Sequence, residues 1–319
     1  MIAAPTVWTV GHLTVDDVMF WNGPTHFRSA GGAALYAGIG ASLFGAAAKV
    51  ATRLGDGFPT EELERLRRLG VELVPTGAGE PCISEWVLYE EDGSRKYVLH
   101  PNSGSLERMS PSPKEYGIPS TAAVHIAPMP IETQAEWCRS ERGRHRLLTV
   151  DPHHDSCALR PDDVLATVAG VDAFLPSELE ARLLSGDDPV QAIRTFREAG
   201  APIAVVKLGS EGSVVGTAEG IWHVPVVPVR PVDVTGAGDS YCGAFAAALA
   251  AGLNGLDAAC AASAVASIVV EARGAAIDGS VDRLRSVVVD RIASIEPALI
   301  SGDPGGALIT EEATLWRNS

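Results

Sequence analysis

The sequence predicts an α/β fold: a doubly wound, mainly parallel sheet with helices on both faces, plus a small β-sheet lid. Three observations carry this. Short, continuously apolar runs alternate with helical patterns, as strands buried on both faces require. A stretch rich in alanine and glycine, Tyr241–Val270, reads as two small-residue helices packed closely on a sheet. One β-hairpin interrupts the rhythm near residues 80–100.

The predicted strands are Val7–Val10, Ala48–Thr52, Ala123–Ile126, Leu147–Val150, Ala173–Leu175, Ile203–Val206 and Ser213–Gly216. Helices are predicted between them. Ala33–Leu43 is small and apolar, and Thr60–Leu69 sets Leu63, Leu66 and Leu69 against Glu and Arg. Glu178–Leu184 and Pro189–Ala199 follow, the latter stopped by Gly200. In the interruption, Cys82–Tyr89 and Lys96–His100 flank an Asp92-Gly93 turn. With the extended residues 13–28 they make a small separate sheet, placed to cover a site at the edge of the large one. The expected organisation is one domain over residues 1–300, with lid strands from about 13–28 and 80–100, and a peripheral tail over 301–319.

Composition narrows the partners. The 319 residues carry 25 Lys+Arg against 40 Asp+Glu, a formal net charge of −15. A duplex nucleic-acid binder needs a basic footprint, and an anionic membrane would repel this chain. None of the four lysines (Lys49, Lys96, Lys114 and Lys207) follows a glycine, so a Gly-Lys phosphate loop is absent. The five cysteines form no CxxC pair, and the N-terminus runs from Met1 straight into a strand without a cationic stretch. Both features fit reduced thiols and a cytoplasmic location. Neither half of the alanine-rich stretch reaches the ~20 apolar residues needed to span a bilayer.

The segment that carries chemistry is Val232-Asp-Val-Thr-Gly-Ala-Gly-Asp-Ser-Tyr-Cys-Gly-Ala-Phe245. A strand leading into Thr235-Gly-Ala-Gly238, with Asp239 opening a long helix, would aim several backbone N–H groups at one point. The helix N-terminus adds about half a positive charge there. That is an anion cradle built without lysine. A carboxylate beside it can take the proton of a hydroxyl that attacks phosphorus. An isolated Asp at a helix start is ordinarily an N-cap. Asp233, Thr235, Gly236, Gly238 and Asp239 together before a small-residue helix are a much rarer combination.

This segment resembles the Asp-Thr-x-Gly-Ala-Gly-Asp signature of the PfkB, or ribokinase-like, family of sugar and nucleoside kinases. The resemblance covers nearly the whole chain. Gly11-His-Leu-Thr-Val-Asp16 resembles the family's first strand, Gly31-Gly-Ala-Ala-Leu-Tyr-Ala37 its Gly-Gly substrate loop, and Leu54-Gly-Asp-Gly-Phe58 its Gly-Asp turn. Asp151-Pro152, Pro176-Ser-Glu-Leu-Glu-Ala181, Val206-Lys-Leu-Gly-Ser-Glu-Gly212 and Ala261–Ala275 resemble later motifs in the same order. The resemblance implies an ATP-dependent kinase acting on a hydroxyl of a small sugar, polyol or nucleoside. It implies Asp239 as general base, with the amides of Gly236, Ala237 and Gly238 as the anion hole. Asp16, Gly31, Gly32 and Tyr36 would contact the acceptor. Lys207, Gly209, Gly212, Thr235, Ser263 and Gly274 would lie along the nucleotide. Glu180 would hold Mg²⁺ through water, and Asp233 a monovalent cation such as K⁺. Homodimerisation through the lid is a further expectation. Two positions depart from the pattern: Tyr36 where Asn is frequent, and Ser177 where Asn begins the Asn-x-x-Glu motif. The alternative reading is a catalytically altered regulator on the same fold that binds sugar or nucleotide. A vitamin-type kinase is more distant, since such relatives usually lack the lid strands.

In Asp151-Pro-His-His-Asp155, adjacent histidines after a strand are expected to point apart, which favours a surface loop over a metal site. The arginine-rich Arg139–Arg146 reads as a solvated helix end. There is no Gly-x-Ser-x-Gly elbow, and Gly38-Ile-Gly40 falls inside a helix, not after a strand.

Overall fold

The structure, a computed structural model, describes residues 4–91 and 95–301. The Asp92-Gly93 turn and the tail beyond Ser301 lie outside the described residues.

The strands are β1 (Thr6–Val10), β2 (Thr14–Met19), β3 (Thr25–Gly31), β4 (Ala47–Asp56), β5 (Val71–Pro81), β6 (Ile83–Tyr89) and β7 (Arg95–Leu99). They continue as β8 (Ala123–Ile126), β9 (Leu147–Val150), β10 (Ala173–Phe174), β11 (Ile203–Lys207), β12 (Ser213–Gly216), β13 (Ile221–Val224) and β14 (Ala298–Ser301). The helices are α1 (Ala33–Phe44), α2 (Thr60–Arg68), α3 (Leu106–Met109), α4 (Ile131–Glu141), α5 (His154–Leu159) and α6 (Pro161–Val168). After them come α7 (Glu178–Ser185), α8 (Pro189–Glu198), α9 (Ala237–Ala250), α10 (Gly255–Val270) and α11 (Val281–Ile292).

The large sheet runs β14-β13-β12-β11-β10-β9-β8-β1-β4-β5. It is parallel from β11 to β5 and antiparallel at the β11–β14 edge. Its central strands are mostly apolar because helices cover both faces, with Thr9, His125 and Thr149 as buried polar exceptions. One face packs Leu35, Ile39, Phe245 and Val265 from α1, α9 and α10; the other packs Trp137, Val164 and Phe196 from α4, α6 and α8.

The small-residue helices have a specific use. A Cβ on Gly243 would stand 1.7 Å from the Ala37 carbonyl oxygen, and one on Gly40 would stand 2.0 Å from that of Ser240. Glycine therefore lets the backbones of α1 and α9 touch, and this contact seats the start of α9 against α1.

The second sheet has the order β3-β2-β6-β7, with β6 and β7 forming the expected hairpin. One expectation is corrected here. Asp16 lies on β2 in the lid, not on the first strand of the large sheet, which ends at Val10. Gly11 turns the chain from one sheet to the other.

Candidate active site

The segment before α9 is not a strand. Residues 225–234 cross from β13 to α9 in extended form without pairing in a sheet, and Val232 and Asp233 N–H groups instead donate to the Val270 carbonyl at 2.7 and 3.2 Å. Gly236 is the N-cap in the left-handed region (φ 73°), and α9 opens at Ala237, two residues earlier than expected. Asp239 is thus the third helical residue. The Ala237 amide closes the turn onto the Val234 carbonyl at 3.3 Å. A helix start leaves its first N–H groups without intrahelical acceptors.

Asp233 ties this turn down. Its Oδ1 accepts from the Thr235 amide at 2.9 Å and the Tyr89 hydroxyl at 2.8 Å, while Oδ2 accepts from the Gly274 amide at 2.9 Å. Burial opposes its charge, but these hydrogen bonds, led by that of the Thr235 amide, outweigh burial and hold its pKa below the ordinary carboxylate value. The Tyr89 hydroxyl also lies 2.7 Å from Thr235 Oγ1. Tyr89 is on β6, so the lid is latched to the turn by a side chain that sequence reasoning did not single out. Alternation along β6, with Ile83, Glu85, Val87 and Tyr89 on one face, was the signal available.

Tyr36 fills the space under the turn. It is buried, and a Cβ on Gly236 would fall 2.2 Å from its ring. Burial raises its pKa well above the usual phenol value, and Asp16, Asp233 and Asp239 add to that. All three carboxyls are thus near enough to act on the buried phenol.

Asp16 reaches it from β2. It is 5 % exposed, and its Oδ1 has no hydrogen-bond partner. Burial, and then the neighbouring Glu85, pushes its pKa up to about 8. The Gly31-Gly32 pair makes room: a Cβ on Gly31 would lie 1.9 Å from Asp16 Oδ2, and one on Gly32 (φ 103°) 2.4 Å from the His12 carbonyl oxygen.

Behind α9, Lys207 Nζ lies 2.5 Å from Asp151 Oδ2 and 3.2 Å from Cys242 Sγ. Burial works to lower the lysine pKa, yet Asp151, Cys242 and Glu180 raise it well above the usual value, so Lys207 is charged. The same burial pushes the Asp151 carboxyl up while the ammonium pulls it back. A Cβ on Gly238 would sit 3.7 Å from Lys207 Nζ. Lys207, expected along the nucleotide, is thus an ion-pair partner directly behind the Gly238 backbone.

Ser177 and Glu180 form a capping box for α7. The Ser177 amide donates to Glu180 Oε2 at 2.6 Å, and the Glu180 amide to Ser177 Oγ at 3.5 Å. Ser in place of Asn is therefore a helix-start residue. Gly209 (φ 60°) and Gly212 (φ 89°) bracket a short 3₁₀ turn after β11, and a Cβ on Gly212 would strike the Val224 carbonyl oxygen at 2.2 Å. Ser263 Oγ donates to the Pro225 carbonyl at 2.9 Å. Gly274 is held at Asp233.

The expectation for the paired histidines is corrected. His153 and His154 do not point apart. Their rings stack with centroids 4.5 Å apart, and their ligand atoms with those of Asp155 lie within 4.8 Å of one another. His153 Nδ1 accepts from the Asp155 amide at 3.2 Å and caps α5. Arg139, Arg142, Arg144 and Arg146 are exposed, as the helix-end reading requires. No helix among the described residues is long and apolar enough to cross a membrane.

Residues 16–282 match the profile described as pfkB family carbohydrate kinase. A cytidine kinase from Thermococcus kodakarensis is 29 % identical over 253 residues, covering 76 % of this chain and 88 % of that one. A 2-dehydro-3-deoxygluconokinase from Thermoproteus tenax is 30 % identical over 256 residues, covering 74 % and 78 %. Among solved structures, a ribokinase II of E. coli in complex with ATP and Mg²⁺ aligns with TM-score 0.71 at 22 % identity, covering 90 % of this chain and 99 % of that one. With the family profile spanning the lid, the Gly-Gly loop and the start of α9, this chain belongs to the pfkB family of carbohydrate kinases, phosphotransferases that act on a hydroxyl group of their acceptor.

Proposed function

We propose that the protein transfers the γ-phosphoryl of ATP to a hydroxyl of a small sugar, polyol or nucleoside held between the lid and the start of α9. The observation that carries this reading is Asp239 on the first turn of α9, three residues after the left-handed Gly236, with Asp239 and Asp16 both acting on the buried Tyr36. The acceptor hydroxyl attacks the γ-phosphorus. Its proton passes to the Asp239 carboxylate, a new O–P bond forms, and the bond to the β–γ bridging oxygen breaks, releasing ADP. Such transfers need positioning and charge stabilisation more than covalent help. The Gly236 and Gly238 amides and the helix N-terminus supply part of that stabilisation. Lys207, charged and behind Gly238, adds to the positive potential there. The nucleotide lies along Gly209–Gly212, with Thr235, Ser263 and Gly274 on its path.

The residues present fit Mg²⁺. Asp151 Oδ1 is buried without a hydrogen-bond partner, and Glu180 and Asp239 are among the charges acting on Asp151. Carboxylate oxygens of this kind suit a hard cation. Glu180 and Asp151 would hold it through water, and when bound it neutralises charge on the phosphoryl oxygens. We assign no monovalent cation to Asp233, whose oxygens already accept three hydrogen bonds that hold the turn.

Asp239→Asn is expected to lower kcat by about 10²–10⁴-fold, the usual contribution of a positioned general base. Calorimetric ATP binding is expected to stay close to wild type. A variant with full turnover overturns the reading.

A further inference from the structure

The acceptor end of the site is acidic. Asp16 on β2 and Glu85 on β6 are register partners in a parallel strand pair, so both side chains rise from the same face of the lid. That face is the inward one: Ile83 and Val87, on either side of Glu85 at the same parity, are buried, and Tyr89 reaches Asp233. Asp16 is buried and its Oδ1 is without a partner, so an acceptor capable of donating a hydrogen bond has a waiting oxygen. The cradle is cleared by Gly31, where any Cβ would overlap the Asp16 carboxylate.

The charges that act most on Asp16 are Glu85, Asp17 and Asp233, all acidic. Three cations near the lid, among the side chains described, are engaged outside this pocket. The Arg28 guanidinium donates to the Gly57 carbonyl, Lys96 pairs with Glu90 at 2.8 Å, and Arg108 pairs with Glu80 at 2.7 Å. A phosphate or carboxylate on the acceptor would therefore be stripped of water beside the charged Asp233, with none of these three cations turned toward it. Hydroxyl groups, by contrast, are donors that two carboxyls can share.

Resting on the kinase reading above, we infer that the acceptor is an uncharged, hydroxyl-rich molecule read by Asp16 and Glu85 together, and that sugar phosphates and sugar acids are rejected. Glu85 is the specificity-determining residue added by the structure. Burial holds its carboxyl up at about 7, and Asp16 higher still, so near neutrality the pair can donate as well as accept.

The test is steady-state kinetics with ATP on matched acceptors: fructose, ribose, cytidine and myo-inositol against fructose 6-phosphate and 2-dehydro-3-deoxygluconate. At least one neutral acceptor is expected to exceed both anionic ones in kcat/KM by tenfold or more, about 1.4 kcal/mol or above. Glu85→Gln is expected to raise the acceptor KM about tenfold and to leave the ATP KM unchanged, the sign of an acceptor contact and not of general damage. Preference for either anion, or an unchanged acceptor KM in Glu85→Gln, overturns the inference and leaves the kinase reading intact. If wild-type protein phosphorylates nothing, the kinase reading fails. The inference is then decided by thermal shift with each acceptor alone: stabilisation by a neutral acceptor supports it, and stabilisation only by an anion, or by neither, overturns it.

Discussion

Gly236 is glycine for two independent reasons. Its φ of 73° is a conformation that a side chain resists, and the Tyr36 ring occupies the space where a Cβ would go, at 2.2 Å. Gly236→Ala is therefore expected to cost about 1–3 kcal/mol through strain and overpacking. It should also lower kcat, because the turn that carries the amides must shift. Thermal unfolding and steady-state rates check both parts. At this scale the sequence was informative about residue type and poor about partners. Asp239, Gly236 and Gly238 could be named from their spacing. That Tyr36 lies beneath them could not be, since 200 residues of chain separate it from Gly236. Nor could the pairing of Lys207 with Asp151, which comes from two strands that are not neighbours in the large sheet. Glu85 was legible only as a charge at an inward parity on a strand, a signal that needs the pairing partner to acquire meaning.

Among the elements, the contact between α1 and α9 sets the position of α9. Gly243 touches the Ala37 carbonyl and Gly40 the Ser240 carbonyl, so both helices depend on the missing side chains. Gly243→Ala is expected to destabilise the protein by about 1–3 kcal/mol, as overpacking does. Gly77→Ala, on β5 with no atom within 4 Å of the added Cβ, serves as the control and should be near neutral. Urea unfolding of the two variants compares them. The sequence showed that these helices were made of small residues and would pack closely. The strands of the buried core were equally plain, because most are continuous apolar runs. What pattern reading missed were β5 and β14 at the sheet edges and β13 beside β14, where burial is one-sided or broken and the apolar run is lost. The expected strand before Thr235 was the reverse error. Its Val232 and Val234 are exposed, and its backbone bonds run to the end of α10.

For the whole molecule, the buried titratable groups shape stability against pH. Asp16 at about 8 and Glu85 at about 7 have folded pKa values above their ordinary 3.8 and 4.5, so the folded state holds their protons more tightly. Where the folded state binds more protons, stability falls as pH rises. Their destabilisation therefore grows from about pH 4 to 8. Asp151 acts in the same sense, while Asp17 and Asp233 supply further negative charge around Asp16. His12 at about 4 and His125 at about 3 are kept neutral by burial and act oppositely, removing stability as pH falls below 6.5. Above pH 6.5 the carboxyls dominate. The ligand-free protein is expected to lose Tm between pH 6.5 and 8, and Glu85→Gln to flatten the lower part of that slope, up to about pH 7; differential scanning fluorimetry across the range reads it.

The sequence by itself determined the class of fold, the lid, and the glycine turn that opens α9. Each of these is written locally: in the period of the apolar residues, in a hairpin that interrupts it, and in glycines that precede a helix. An acidic chain with four lysines can meet phosphate this way because amide dipoles and a helix terminus do the work of side-chain cations. Only the tertiary structure decided which carboxyls face each other. The parallel register of β2 and β6 sets Asp16 beside Glu85, and folding brings Tyr89 to Asp233 and Lys207 behind Gly238. Those juxtapositions depend on strand order and on close helix contact, which are properties of packing between segments far apart in the chain.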